Sequence, residues 1–164
     1  CLMTAQIANG GYKIYPKIIA DDESNNFQKD KFIPLCKDSK NIKIIQDAMF
    51  GSTNEVMGTS YRSRIKDLRY QFAGKTGTAQ VKKITEKDRE LDLKTFEIPY
   101  EERDHALYIA FGPYKNPRYA LSVLVEHGGN GSTTAAPMAK KLFKLIIDRH
   151  SLRESINNKR YLEI

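Results

Sequence analysis

Lys75 and Thr78, with Thr76 and Gly77 between them, are the residues of this sequence whose types and spacing best suit chemistry. They lie in Gln71-Phe72-Ala73-Gly74-Lys75-Thr76-Gly77-Thr78-Ala79-Gln80-Val81. Rich in threonine and small residues, and closing on Val81, the stretch predicts a short strand with one crowded face. Glycine inside a strand marks the close approach of a ligand or of another backbone. Gly74 and Gly77, lacking Cβ atoms, would let an extended peptide lie along the strand edge. Lys75 then sets a positive charge beside that peptide, and Thr76 and Thr78 offer hydroxyls on the opposite and same faces. Such a strand suits an anionic, extended substrate.

Other reactive side chains are less well supported. His127 resembles a general base, but no nucleophile lies near it in sequence, and it is read as structural. His105, His127, His150, Cys1 and Cys36 show no metal-ligand spacing, so no metal and no cofactor are expected. Two cysteines make no disulfide framework. Cys1 leads directly into a helical pattern, and a lipid-modified N-terminus and a fragment boundary are the two readings of it.

The elements that must position the Lys75 strand are legible in outline. A chain of 164 residues, 40% of them hydrophobic and 29% charged, is long enough for one domain with a sizeable core. No apolar run approaches the roughly 20 residues of a membrane span, and the residues given, which begin at Cys1 and not at Met, show no signal-peptide pattern. The net charge of +7 is spread over the sequence with no basic run longer than two residues, which disfavours nucleic acid as a partner.

Residues 2–9 predict the end of a helix, with Gly10-Gly11 available as its left-handed cap. Tyr12 to Ile19 predicts an edge strand interrupted by Pro16, and residues 20–30 an exposed polar loop. A second helix starts at Asp38 or Ser39 and presents Ile42, Ile45, Met49 and Phe50 on one face. Residues 61–69 form a basic connector, and Lys82 to Glu102 a long charged connection. Ala106 to Phe111 and Tyr119 to Val125 predict two strands joined by the turn Gly112-Pro113-Tyr114-Lys115-Asn116-Pro117. The last helix begins at Ser132 or Thr133 and runs to about Asp148, with Ala135, Met138, Ala139, Leu142, Phe143, Ile146 and Ile147 on its apolar face and Pro137 in its first turn. The fold class expected is α+β, antiparallel strands packed against helices. Residues 1–150 make one domain portion, and 151–164 a polar, basic, frayed tail.

Lys75-Thr76-Gly77-Thr78 resembles the third signature of the penicillin-binding proteins and serine β-lactamases. Three flanking segments extend the likeness. Asn54-Glu55-Val56-Met57-Gly58-Thr59-Ser60-Tyr61-Arg62 is similar to the approach to that strand. Arg103-Asp104-His105-Ala106-Leu107 and Val125-Glu126-His127-Gly128-Gly129 resemble later strands of the elongation-type class B enzymes, the penicillin-binding protein 2 group. The resemblance covers about residues 2–148 and implies the C-terminal part of a peptidoglycan D,D-transpeptidase domain. It implies that Lys75 supplies charge to a proton relay and helps hold a substrate carboxylate. Thr76 sets the strand edge, and Gly77 leaves room for the stem peptide. Thr78 gives its backbone N–H to the oxyanion hole and its hydroxyl to a carboxylate of the substrate or of a β-lactam.

That chemistry also needs a serine nucleophile, which the family carries well upstream of this strand. Ser63-Arg64-Ile65-Lys66 matches Ser-x-x-Lys in letters but lies too close to the strand, and is not assigned as the nucleophile. Ser24-Asn25-Asn26 and Ser39-Lys40-Asn41 match the commoner Ser-x-Asn and are likewise not assigned. The resemblance implies stem peptides and β-lactams as ligands, the cell-elongation machinery as partner, and a parent protein anchored at the periplasmic face of the inner membrane. The competing expectation is a non-catalytic remnant or interaction module.

Overall fold

The computed structural model describes residues 1–16, 18, 33–83 and 93–162, of which 153–162 are described as helical backbone only. The expected loop at 20–30 lies outside the described residues. Three antiparallel strands form a sheet in the order β1-β2-β3: β1 Ala73–Ala79, β2 His105–Gly112 and β3 Tyr119–Val125. Lys75 pairs with Ile109 and Gly77 with Leu107, while Tyr108 pairs with Val123 on the far side of β2. The other edge of β1 pairs with no strand among the described residues. This agrees with the expected α+β class, because the period-two apolar pattern of β2 and β3 commits them to a sheet.

Both faces of the sheet are covered. Helix α3, Ala136–Leu162, brings Ala136, Ala139 and Phe143 onto Phe72, Ala106, Tyr108 and Ala110. Phe72 and Phe143 stack with ring centroids 4.9 Å apart. Helices α1, Leu2–Ala8, and α2, Ser39–Asn54, cover the opposite face, where Met49 joins Ala73 and Phe111. Asp38 caps α2 by accepting a hydrogen bond from the Lys40 backbone N–H at 2.9 Å. Its expected apolar face is only partly used: Ile42 and Met49 are buried, whereas Ile45 is exposed.

Four sequence expectations are corrected. Tyr12 to Pro16 forms no strand; its backbone makes a single bridge, Tyr12 with Pro34. Lys13 N–H donates to the Ile33 carbonyl and Leu35 N–H to the Gly11 carbonyl on either side of that bridge, and Pro16 has no N–H with which to carry a ladder on. The last helix is capped two residues before the earlier of its expected starts. Asn130 accepts from the Ser132 N–H at 2.8 Å and opens a π-helical turn, Gly131–Ala135, that leads into α3. Met138, expected in the core, is exposed, while Phe143 is fully buried. The helical backbone also continues through Ser151 to Leu162. The end of an apolar stripe is therefore a poor guide to the end of a helix.

Beneath β1 lies a buried hydroxyl cluster. Tyr108 extends past Gly74, where a Cβ would sit 2.4 Å from the phenol oxygen. Its hydroxyl meets Thr53 Oγ1 at 2.9 Å and Ser60 Oγ at 3.0 Å. Burial pushes the Tyr108 phenol above its usual value, and the bonds to Ser60 and Thr53 partly oppose this. A raised folded value means that the fold favours the neutral phenol. The stability this contributes is complete below the ordinary phenol value of about 10. It is lost as pH rises through the higher folded value. Tyr108→Phe in the complete domain is expected to lower unfolding free energy by about 1–3 kcal/mol near neutrality. Denaturant titrations from pH 7 to 11 should also show the variant losing less stability on alkalinisation than the parent.

Candidate active-site cleft

The edge of β1 forms one wall of a cleft of about 390 Å³ lined by Thr59, Lys75, Thr76, Gly77, Thr78, Asn130 and Ser132. All four residues singled out in the sequence therefore stand together, and three others join them from distant segments. Thr59 comes from the loop after α2, and Asn130 and Ser132 from the turn that opens α3. The only local sign of the latter pair was a glycine-rich run ahead of a helix.

Strand alternation decides where the side chains go. Thr76 and Thr78 pair with Tyr108 and Ala106, on the face that packs against α3. Lys75 pairs with Ile109, on the face toward α2. The two threonines thus share one face, opposite Lys75, which corrects the expectation that divided them. Lys75 reaches back to the edge: its Nζ donates to the Thr76 carbonyl at 2.8 Å and lies 3.5 Å from Thr76 Oγ1. No carboxylate pairs with it among the described residues. Its ammonium therefore stays available for an anion at the strand edge. A row of hydroxyls continues from there, Thr76 to Thr59 at 3.3 Å and Thr59 to Ser52 at 3.1 Å.

The two strand glycines have different reasons to be there. Gly74 makes room for Tyr108 rather than for a ligand, which corrects its proposed role at the peptide-binding edge. Gly77 lines the cleft, and a Cβ there would stand 3.3 Å from Leu107 Cβ. The opening turn of α3 presses on the same place. A Cβ on Gly131 would fall 2.5 Å from the Leu107 carbonyl oxygen and 2.6 Å from that of Gly77. Because those are backbone atoms, they cannot swing aside. Gly131→Ala in the complete domain is expected to cost about 1–3 kcal/mol through overpacking. Thermal melts measure that loss.

His127 occupies a structural position. It sits in the left-handed region at φ 53°, its N–H donates to His105 Nδ1 at 2.9 Å, and its own Nδ1 lies 3.1 Å from the Arg103 carbonyl. Both contacts tie the end of β3 to the start of β2. Ser63 is 2% exposed in a 3-10 turn, Tyr61–Ser63, and does not line the cleft.

The peptidoglycan D,D-transpeptidase MrdA of Salmonella typhimurium is 37% identical over 105 residues, which are 64% of this chain and 16% of that protein. A complex of penicillin-binding protein 2 and MreC from Helicobacter pylori superimposes with a TM-score of 0.66 at 28% identity. That match covers 90% of this chain and 24% of the other. Penicillin-binding protein 2 of Pseudomonas aeruginosa, solved with WCK 5153, gives 0.61 at 29% identity over 87% of this chain and 28% of its own. The chain thus spans a small part of the length of its relatives. The family model described as the penicillin binding protein transpeptidase domain matches residues 2–144. On that match, which takes in β1, β2, β3 and the start of α3, the chain belongs to the penicillin-binding protein transpeptidase domain family.

Proposed function

We propose that this chain supplies the substrate-holding strand of a serine D,D-transpeptidase that cross-links peptidoglycan by acyl transfer and is acylated by β-lactams. The observation that carries the proposal is the edge of β1, unpaired with any strand among the described residues, where Lys75, the Thr76 and Thr78 side chains and Gly77 line one cleft. An acyl donor peptide lies along that edge. Lys75 sets a positive charge beside its carboxylate and beside the serine's proton relay. Thr78 directs its backbone N–H at the developing oxyanion and its hydroxyl at the carboxylate. Thr76 braces the edge through its bond to Thr59. The nucleophile and the second oxyanion donor come from a segment of the domain outside this chain.

An observation on the other face of the sheet supports a role as part of a larger domain. Ile44 and Met57 are 65% and 93% exposed, along and just beyond α2. Apolar surface of this kind is usually covered in the complete protein. We place the parent protein at the periplasmic face of the inner membrane, held by an anchor outside this chain, and working with the cell-elongation machinery. Among the described residues no helix is long and apolar enough to cross a membrane. Acylation of the complete domain by a fluorescent penicillin tests the function. No covalent adduct at any penicillin concentration would refute it.

A further inference from the structure

A second cleft, of about 430 Å³, adjoins the one at Lys75 and is lined by Val56, Gly58, Thr59, Tyr61, Arg62, Ser132, Thr133 and Pro137. Thr59 and Ser132 belong to both walls, so the two clefts are continuous. Arg62 is the only cation among the residues lining this second one.

Arg62 is not carried on a loose connector. The 3-10 turn Tyr61–Ser63 follows directly on Ser60, which is 1% exposed and sits in the buried hydroxyl cluster. Ser60 Oγ donates to the Ser52 carbonyl at 3.0 Å and meets the Tyr108 hydroxyl at the same distance. The turn closes through the Ser63 N–H on the Ser60 carbonyl at 2.8 Å. Its neighbour Arg64 is committed, lying 3.7 Å from the Tyr61 ring centroid and donating to the Tyr61 carbonyl at 3.1 Å. Arg62 has no such partner: no ion pair, hydrogen bond or ring contact engages it among the described residues. The turn fixes the Arg62 backbone on a cleft wall that Ser132 and Thr133 share, and a planar guanidinium free of other partners there suits bidentate capture of a carboxylate.

We propose that Arg62 forms a second anionic subsite, which takes the side-chain carboxylate of an acidic residue in the peptide whose terminal carboxylate lies at Lys75. The inference rests on the transpeptidase reading of the Lys75 cleft. It makes Arg62 a specificity residue for acidic over neutral peptides. Because the guanidinium is exposed to water, its contribution is that of a screened, charge-assisted hydrogen bond rather than of a buried ion pair.

The test uses the complete transpeptidase domain and two synthetic peptides ending in D-Ala-D-Ala, one carrying a glutamate side chain ahead of that dipeptide and the other the matching glutamine. Binding is measured by fluorescence anisotropy, with melts to confirm folding. The parent should bind the glutamate peptide about three- to tenfold more tightly. Arg62→Gln should abolish that preference, Arg62→Lys should restore part of it, and 0.5 M salt should weaken it in the parent. A preference that survives in Arg62→Gln, or an equal loss for both peptides, overturns the subsite. Labelled penicillin on the parent domain reports separately on the Lys75 cleft. If the parent is acylated and shows no preference, the subsite alone is wrong. If it neither reacts with penicillin nor binds either peptide, the transpeptidase reading falls and the subsite with it.

Discussion

Lys75→Ala in the complete domain is expected to slow acylation by penicillin by several orders of magnitude. Two losses combine in that variant. One is the charge that holds the substrate carboxylate at the β1 edge, where no carboxylate of the described residues competes for it. The other is a partner in proton transfer, and general acid–base help alone contributes about 10²–10⁴-fold. Lys75→Arg should recover only part of the rate. Lysine is a compact ammonium on a flexible stem and here folds back onto the Thr76 carbonyl, a course that a wide guanidinium fork cannot follow as closely. Thr78→Val keeps the backbone donor and removes the hydroxyl, so it should weaken carboxylate binding more than it slows the acylation step itself. All three variants should melt close to the parent, since Lys75 and Thr78 are exposed and neither side chain packs in the core. The second-order acylation rate is the measurement. A Lys75→Ala rate within a few-fold of the parent would remove β1 from the active site.

The second large effect is an absence of reaction. This chain by itself, incubated with a fluorescent penicillin and run on a denaturing gel, should give no covalent band. Groups that act as a unit lose most of their effect when one is missing. On the proposed reading the serine and one oxyanion donor are both supplied from elsewhere. Ser63-Arg64-Ile65-Lys66 is the one sequence in the chain that imitates a nucleophile motif. Ser63 is buried in its turn and stands outside the cleft. A band that disappears on Ser63→Ala would show that the turn opens and that Ser63 is reactive after all.

The sheet was legible from sequence because its information is local. Alternating residues in Leu121–Val125, a proline-bearing turn before them, and a period-3.6 stripe through Ala139 and Phe143 each specify their element within a few positions. Lys75, Thr76, Gly77 and Thr78 were legible for the same reason: they are consecutive on one strand. Period two even fixes both threonines on the face opposite Lys75, whatever the rest of the chain does.

Everything that crosses the chain was decided by tertiary structure. Gly74 is required by a phenol 34 positions later in the sequence, at Tyr108, and nothing around Gly74 announces that partner. Thr59 and Ser132 reach the Lys75 cleft only because α2 and the α3 turn converge on the β1 edge. Gly131 presses on Gly77 across 54 residues of chain. Met138 lies on the expected apolar stripe and is nevertheless exposed, because a helix buries only what a neighbouring element actually covers. Periodicity determines which way a side chain points along its own element. What it meets there depends on the packing of elements distant in sequence, and that packing places a cation such as Arg62 on the wall of a cleft.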